Sequence, residues 1–203
     1  AARIDDVQQF AGHPMTIERI ETIEDTDGGA DTILTLTGYD VVLSGHDADT
    51  VTVSDMSNLA DTGPNPFNDH NIVIGDNGFI DYHDETDTSD RTSHIDEMAS
   101  KTTTQAGGVD VIDAGDGDDF VIGGRFGDTI RARNGDNLIF GDSGRILAAT
   151  LDSATQPHFD GHLLTLGRIE TIEDTDGGAD TIRTLAGYDI VLGGHEGDNI
   201  QVS

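Results

Sequence analysis

Aspartate recurs at a nine-residue step within residues 107–142, in constant phase with a β-branched residue. Asp110, Asp119 and Asp128 are followed at the same step by Asn137, and Ile or Val stands two positions after each of them. Asp is common in turns, but turn preference does not explain the fixed phase. Carboxylate and turn carbonyl oxygens are the hard ligands that calcium prefers. The pattern therefore predicts calcium ligation by the repeated acids.

The elements that must position these acids follow from the length of the cycle. Nine residues fit a short strand and a tight turn, and they do not fit an α-helix. Repeated, the cycle predicts an all-β, parallel solenoid. The Val or Ile would point into a narrow core, and Gly117, Gly123 and Gly124 would allow positive φ in the turns. Stacked turns would bring carboxylates close together, which requires a cation or protonation.

The pattern resembles the repeats-in-toxin (RTX) family, whose consensus is G-G-x-G-x-D-x-U-x with a large aliphatic residue at U. The closest matches are AGDGDDFVI (114–122) and GGRFGDTIR (123–131). The resemblance implies a β-roll in which two nonapeptides form one coil. It also implies calcium ions between the turns on each side, held by Asp residues of repeats i and i+2 and by backbone carbonyls. Carried over, it pairs Asp110 with Asp128 and Asp119 with Asn137. Since Asn137 replaces an Asp and several turns lack the full glycine set, some sites would be weak or empty.

A second repeat has a much longer period. Residues 19–54 and 168–203 are identical at 27 of 36 positions, at a constant offset of 149. The chain thus holds one full period and the start of the next. We expect it to be an excerpt from a longer tandem array.

The nonapeptide phase divides the chain into units and connectors. The connectors are expected to add strands or side hairpins, although 91–101 could form a short helix. The predicted segments are a strand or loop connector at 1–27, a first nonapeptide unit at 28–78 with an insertion at 54–68, a polar connector at 79–106, a second unit at 107–144, a connector at 145–176 that repeats 1–27, and a truncated third unit at 177–203.

The predicted metal ligands are the in-phase residues of all three units and some acids beside them. They are Asp31, Asp40, Asp49, Asn71, Asp110, Asp119, Asp128, Asn137, Asp180, Asp189, Asp198, Asp27, Asp176, Asp116 and Asp118. For Asn71 and Asn137, an amide ladder or a turn cap fits the sequence equally well. Asp27 and Asp176 fit solvated strand ends equally well. Asp76 and Asp142, each in G-D-[NS]-G, favour an Asx-turn over a cap on a row of sites.

Composition narrows the partners and the compartment. The net charge of −30 disfavours binding to nucleic acid and to anionic membranes. With 34% hydrophobic residues, the chain needs charge neutralisation to fold, so the calcium-free chain is expected to be unfolded. The sequence contains no cysteine, and we expect neither a membrane-spanning apolar segment nor a signal peptide in it. Because such calcium sites are saturated outside cells, we expect an extracellular protein. Halophilic acidity would explain the charge but not the register.

Other chemistries find little support in the sequence. No HExxH motif occurs, and the eight histidines are expected in solvent-facing turns. No nucleophile elbow or phosphate loop occurs, so we expect no enzyme activity.

The expected function is a calcium-rigidified stalk or filament segment, built as a right-handed parallel β-roll, with neighbouring repeats or end-to-end copies as partners. The alternative is a calcium-triggered folding and export module of a secreted enzyme or toxin. A ligand-binding face would need an aligned threonine or aromatic ladder, and Thr32, Thr50, Thr129 and Thr181 are expected to be too scattered to form one.

Overall fold

The computed structural model describes residues 17–36, 38–53, 70–82, 95–101, 106–149 and 164–203. Their sixteen strands are β1 (Arg19–Glu21), β2 (Thr32–Leu34), β3 (Val41–Leu43), β4 (Thr50–Thr52), β5 (Ile72–Ile74), β6 (Gly78–Asp81), β7 (Glu97–Ser100), β8 (Val111–Gly115), β9 (Phe120–Ile122), β10 (Thr129–Ala132), β11 (Leu138–Phe140), β12 (Gly144–Ala148), β13 (Leu166–Thr171), β14 (Thr181–Arg183), β15 (Ile190–Leu192) and β16 (Asn199–Gln201). The predicted insertion at 54–68 lies outside the described residues, as do residues 1–16 of the first connector.

The chain is all-β in the part that the structure describes, which confirms the predicted class. It contains no helix there, and hence none long and apolar enough to cross a membrane. The suggestion of a short helix at 91–101 is wrong where it can be compared, because residues 97–100 form β7. Pairing of this strand with β6 on one side and β12 on the other, and the burial of Met98, Ala99 and Ser100, outweigh the helix propensity of Glu97, Met98 and Ala99.

Two parallel sheets are built by strands that alternate along the chain. The outer sheet has the order β2-β4-β8-β10-β14-β16, and the inner sheet has the order β3-β5-β9-β11-β15. Each nine-residue cycle thus contributes one strand, and successive cycles supply opposite sheets. The strands pair in register: Ile130 lies beside Ile112 and Ile182 in the outer sheet.

The predicted Val and Ile positions face each other between these two sheets. They form one core with Val53, Ala114 and Ala132. A Val or Ile stands two positions after each of the eleven in-phase Asp or Asn residues. Of these eleven side chains, eight are buried and two are partly buried in this core. The remaining one, Ile200, is 41% exposed because β16 is the last strand of the outer sheet. Thin β-branched side chains suit this narrow space between short strands.

A third, antiparallel sheet covers the other face of the inner sheet. This cover sheet has the order β1-β6-β7-β12-β13 and comes from the connectors and the unit ends. Its Ile80, Met98 and Ile146 pack with Phe120 and Phe140 of the inner sheet in a second apolar core. The connectors therefore do add strands, as expected. That these strands would bury the inner sheet on its second face was not anticipated.

Candidate metal centre

The acid that precedes each outer-sheet strand belongs to a continuous ladder. This acid ladder consists of Asp31, Asp49, Asp110, Asp128, Asp180 and Asp198. Each backbone N–H donates to Oδ1 of the next member, at 2.7 Å for the first four steps and 3.0 Å for the last. The predicted neighbours Asp110 and Asp128 are therefore in contact. The contact shown is a backbone amide to a carboxylate.

A second ladder precedes the inner-sheet strands and alternates acid with amide. This mixed ladder consists of Asp40, Asn71, Asp119, Asn137 and Asp189. The same backbone-to-Oδ1 hydrogen bonds connect its members at 2.9 to 3.2 Å. The structure thus places all eleven in-phase residues in two ladders, one along each edge where the chain passes between the two parallel sheets.

In the acid ladder, Oδ1 of every carboxylate after the first accepts a hydrogen bond, but Oδ2 of several members does not. Oδ2 of Asp110, Asp128 and Asp180 is buried without a hydrogen-bond partner among the described residues. These side chains are at most 1% exposed. A buried carboxylate without a partner is costly, so each of these groups must take up a proton or meet a cation.

Burial makes the same point through the acidities of these groups. It raises the pKa of Asp110 and of Asp180 to about 7, and the pKa of Asp128 to about 10. Backbone hydrogen bonds lower these values and neighbouring acids raise them further, but burial is the largest cause. Without a cation, the ladder acids therefore hold protons that ordinary aspartates release.

Glycines open space beside these orphaned oxygens. A Cβ added at Gly75, Gly123 or Gly141 would overlap two oxygens at once: Oδ2 of a ladder Asp and the carbonyl oxygen of a glycine in the next coil. The ladder acids at these three cradles are Asp110, Asp128 and Asp180, respectively, and the carbonyls belong to Gly123, Gly141 and Gly193. A carboxylate and a carbonyl that converge on a side-chain-free space are a donor set that suits calcium.

The cradles would supply few protein ligands. In the described ranges no group of three or more His, Asp or Glu side chains converges as a metal site. A cation in a cradle would therefore depend on carbonyl oxygens and water in addition to the carboxylates. Few charged ligands favour weak calcium sites, in the range of about 10⁻⁴ to 10⁻³ M.

No protein-family model, curated protein or solved structure matches the chain. Its function must therefore be inferred from the geometry of its own residues. The two ladders and the glycine cradles are the features that bear on it.

The amides of the mixed ladder already have partners of the protein's own. Nδ2 of Asn71 lies 3.1 Å from Oδ1 of Asp119 and 3.1 Å from the Ala114 carbonyl. Nδ2 of Asn137 lies 2.8 Å from Oδ1 of Asp189 and 3.0 Å from the Gly135 carbonyl. The amide N–H groups thus donate to Oδ1 of the next acid and to a backbone carbonyl, while Oδ2 of Asp119 and of Asp189 has no partner among the described residues. This is the amide-ladder role that the sequence left open beside metal ligation.

The predicted ligands outside the ladders mostly have partners within the protein. Asp116 Oδ1 accepts from the backbone and the side chain of Asn134 at 3.1 and 2.7 Å, and Asp118 Oδ1 accepts from the backbone of Asp136 at 2.8 Å. Asp176 forms an ion pair with Arg125 at 2.7 Å. Asp27 is exposed, and its backbone N–H closes a turn to Glu24. None of these four lies in a glycine cradle.

Asp76 and Asp142 clamp successive coils together, a role that neither sequence interpretation anticipated. Asp76 accepts from the backbone amides of Gly108, at 2.7 Å, and of Arg125. Asp142 accepts in the same way from Gly178, at 2.8 Å, and from His195. Burial raises the pKa of Asp76 to about 8 and that of Asp142 to about 6, against the lowering effect of these amides. Their shared G-D-[NS]-G context was the available sequence signal.

The threonines of the outer sheet form a column, so the expectation that they are scattered is wrong. Strand register aligns Thr32, Thr50, Val111, Thr129, Thr181 and Asn199 in that order. All six are exposed on the face of the outer sheet that points away from the core. Spacing along the chain hid the column because the interposed connectors and the insertion change the sequence distance between neighbouring strands.

Proposed function

We propose that this chain is a calcium-binding structural repeat of a large extracellular protein, and that it acts as a calcium-rigidified stalk or filament segment without catalytic activity. The observation that carries the proposal is the acid ladder with its buried, unpartnered Oδ2 atoms. A cation along this ladder would neutralise charge on a chain that carries a net charge of −30. Metal binding would then contribute directly to the free energy of folding.

The fold assigned in this proposal is a right-handed parallel β-roll of the RTX type. The alternation of successive strands between two parallel sheets supports it. The in-register Asp residues at the strand entrances also support it, since the resemblance implies them. Inserted strands of the cover sheet would then be a feature of this chain beyond the RTX pattern.

The extracellular setting follows from the expected weakness of the sites. Cradles with few protein ligands need calcium near 10⁻³ M, roughly the concentration range of extracellular calcium modules. The repeat at an offset of 149 residues supports a stalk, because neighbouring repeats can bury each other's end strands. Neighbouring repeats of the same chain, or further copies of it, are thus the proposed partners.

A calcium titration of the whole chain, followed by far-UV circular dichroism, tests the proposal. We expect a cooperative gain of β signal with calcium, and no such gain with magnesium at matched ionic strength. Equal folding in chelator with high salt would reduce calcium to charge screening and contradict the proposal. Equilibrium dialysis against calcium would report bound ions independently of folding.

The alternative within the same calcium chemistry is a folding and export module attached to a secreted enzyme or toxin. The two differ in the parent chain: a long array of such repeats supports the stalk, and a hydrolase or pore-forming domain supports the export module. Refolding rates separate them too, because an export module must fold rapidly when calcium rises, whereas a stalk must resist unfolding under load.

A ligand-binding face is a second candidate function, favoured by the exposed threonine column. Hydroxyl or amide groups stand at five of its six positions, Val111 being the exception, and the charged side chains beside it are Asp113, Arg131 and Arg183. An exposed column of this chemistry suits a polysaccharide with regularly spaced hydroxyls. Co-sedimentation with insoluble polysaccharides tests it: loss of binding in a Thr50→Val, Thr129→Val, Thr181→Val variant would support it, and no binding by the unaltered chain would exclude it for the polysaccharides used.

A further inference from the structure

The two edges where the chain crosses between the parallel sheets differ at one repeated position. Four residues after each member of the mixed ladder, the chain has Ser44, Gly75, Gly123, Gly141 and Gly193. Four residues after the acid-ladder members it has Thr35, Val53, Ala114, Ala132, Thr184 and Val202. An inner strand separates each mixed-ladder residue from the glycine that follows it, so these glycines lie at the opposite edge, beside the acid ladder. We name this edge, which contains the acid ladder, the glycine corner. The other edge, which contains the mixed ladder, is the amide corner.

At the glycine corner this position has no side chain, and two oxygens converge on the place that a Cβ would take. Each cradle at Gly75, Gly123 and Gly141 combines an orphaned carboxylate oxygen with a carbonyl oxygen. Consecutive ladder members are all acids there, so neighbouring carboxylates stand one coil apart and repel each other.

At the amide corner the same position is already filled. Val53, Ala114, Ala132 and Thr184 are fully buried, and the first three belong to the core between the parallel sheets. The acids Asp40, Asp119 and Asp189 do leave Oδ2 unpartnered among the described residues. They are nevertheless separated from one another by Asn71 and Asn137, whose amides donate to Oδ1 of Asp119 and Asp189.

We infer that calcium binds in a single row along the glycine corner, and that the amide corner holds none because asparagine amides and buried Cβ groups take the place of the ions. This inference rests on the proposed calcium binding and specifies its location. It assigns about three ions to the described chain, one for each of the three cradles. It also departs from the symmetrical arrangement of two rows that the RTX resemblance implies.

Ser44 offers a natural contrast within the glycine corner. It stands where the other coils have glycine, and its hydroxyl donates to the Gly75 carbonyl. The side chain therefore occupies the space beside Asp49 and bonds an oxygen of the kind that lines the other cradles. Removing it should create one further cradle.

The test compares two isosteric substitutions nine positions apart in the full chain. Asp128→Asn alters the glycine corner, and Asp119→Asn alters the amide corner; both parent residues are at most 1% exposed. Equilibrium dialysis with radioactive calcium measures bound ions per chain. We expect Asp128→Asn to lose at least one ion and, in chelator, to show more β signal by circular dichroism than the unaltered chain. We expect Asp119→Asn to keep the full number of ions.

Ser44→Gly tests the inference through a gain of calcium binding, so its result does not rely on a variant that has lost a ligand. We expect it to bind one ion more than the unaltered chain. Equal loss of ions in Asp119→Asn and Asp128→Asn would overturn the single row while calcium binding itself stands. An unaltered chain that binds no calcium would overturn the proposed function. An unchanged number of ions in both Ser44→Gly and Asp128→Asn would place the ions elsewhere and overturn the inference.

Discussion

The two halves of each coil share a nine-residue frame but have different surroundings. Asp128-Thr-Ile-Arg-Ala132 contains the outer strand β10, and Asn137-Leu-Ile-Phe-Gly141 contains the inner strand β11 that follows it. Ile130 and Ile139, the central residues, face the same core. Their flanks differ, because Leu138 and Phe140 are fully buried under the cover sheet whereas Thr129 and Arg131 are exposed. The structural unit is therefore the pair of nonapeptides, with two non-equivalent halves.

This division separates two sources of stability. The inner half is held between two apolar layers, so hydrophobic burial dominates there. The outer half has one face in water, and its ladder is the one built only of acids. Its stability should therefore depend on what neutralises those acids. The predictions below probe the ladder, the strand flanks, the shared centre and the exposed face in turn.

The acid ladder should give the largest effect: the stability of the fold should depend on pH in opposite directions with and without calcium. A carboxyl whose pKa is raised by folding stabilises the fold below its unfolded pKa, near 3.8, and loses that contribution as pH rises through its folded pKa. The folded values are about 7 for Asp110 and Asp180 and about 10 for Asp128. In chelator, stability should therefore fall as pH rises from about 4 through 7 and beyond. In saturating calcium it should rise, because calcium binds the deprotonated form.

The folded fraction by circular dichroism in chelator, and urea unfolding in calcium, each at several pH values, measure the two dependences. Asp128→Asn serves as the control and should flatten both curves, since it removes the group with the largest of these three pKa shifts. Parallel curves in the two conditions would mean that calcium does not compete with protons for the ladder, and the proposed role of the acids would be wrong.

The strand flanks should show the next largest difference. Phe140→Ala empties a fully buried position between the inner and cover sheets and should cost about 3–5 kcal/mol. Leu34→Ala is the matched change, at the residue after the central position of an outer strand. Since Leu34 is 55% exposed, this change should stay within about 0.5 kcal/mol. Chemical denaturation in saturating calcium compares them, and similar losses would show that the cover sheet does not bury the inner sheet in solution.

At the central positions, substitutions in the outer and inner halves should cost similar amounts of stability. Ile130 and Ile139 are at most 1% exposed in one shared core. Alanine at either position should cost about 2–5 kcal/mol, with closely similar values. Ile200→Ala, at the partly exposed end strand, should cost clearly less. The same denaturation measurement checks all three, and a large difference between Ile130→Ala and Ile139→Ala would contradict a common core.

The all-β class and the core positions could be predicted because the Val and Ile phase is a local signal. The burial of the inner sheet on its second face could also have been predicted from the sequence. The large apolar residues Ile72, Ile74, Phe120 and Phe140 flank the central residues of alternate cycles only. Treating every nonapeptide as equivalent concealed it. The same assumption concealed the alternation of glycine with Ala, Val or Thr four residues after the ladder position.

Other features could not be predicted because they depend on which strands become neighbours. Asp76 reaches amides 32 and 49 positions away, and nothing local to G-D-[NS]-G specifies those partners. The threonine column likewise requires knowing that β4 pairs with β8 across a connector and an insertion. Register between coils is set by packing of the common core, so it appears only once the chain is folded.

The exposed face should give the smallest effect on stability. Valine keeps the β-branched shape that suits a strand, so the Thr50→Val, Thr129→Val, Thr181→Val variant should unfold within about 0.5 kcal/mol per site of the unaltered chain. The hydroxyls face solvent and do not support either core. If instead the variant is strongly destabilised, the column contributes to the fold, and its alignment needs no ligand to explain it. If stability is unchanged while polysaccharide co-sedimentation is lost, the outer half carries a binding face in addition to the acid ladder. The inner half, enclosed between two apolar layers, has no face available for such a role.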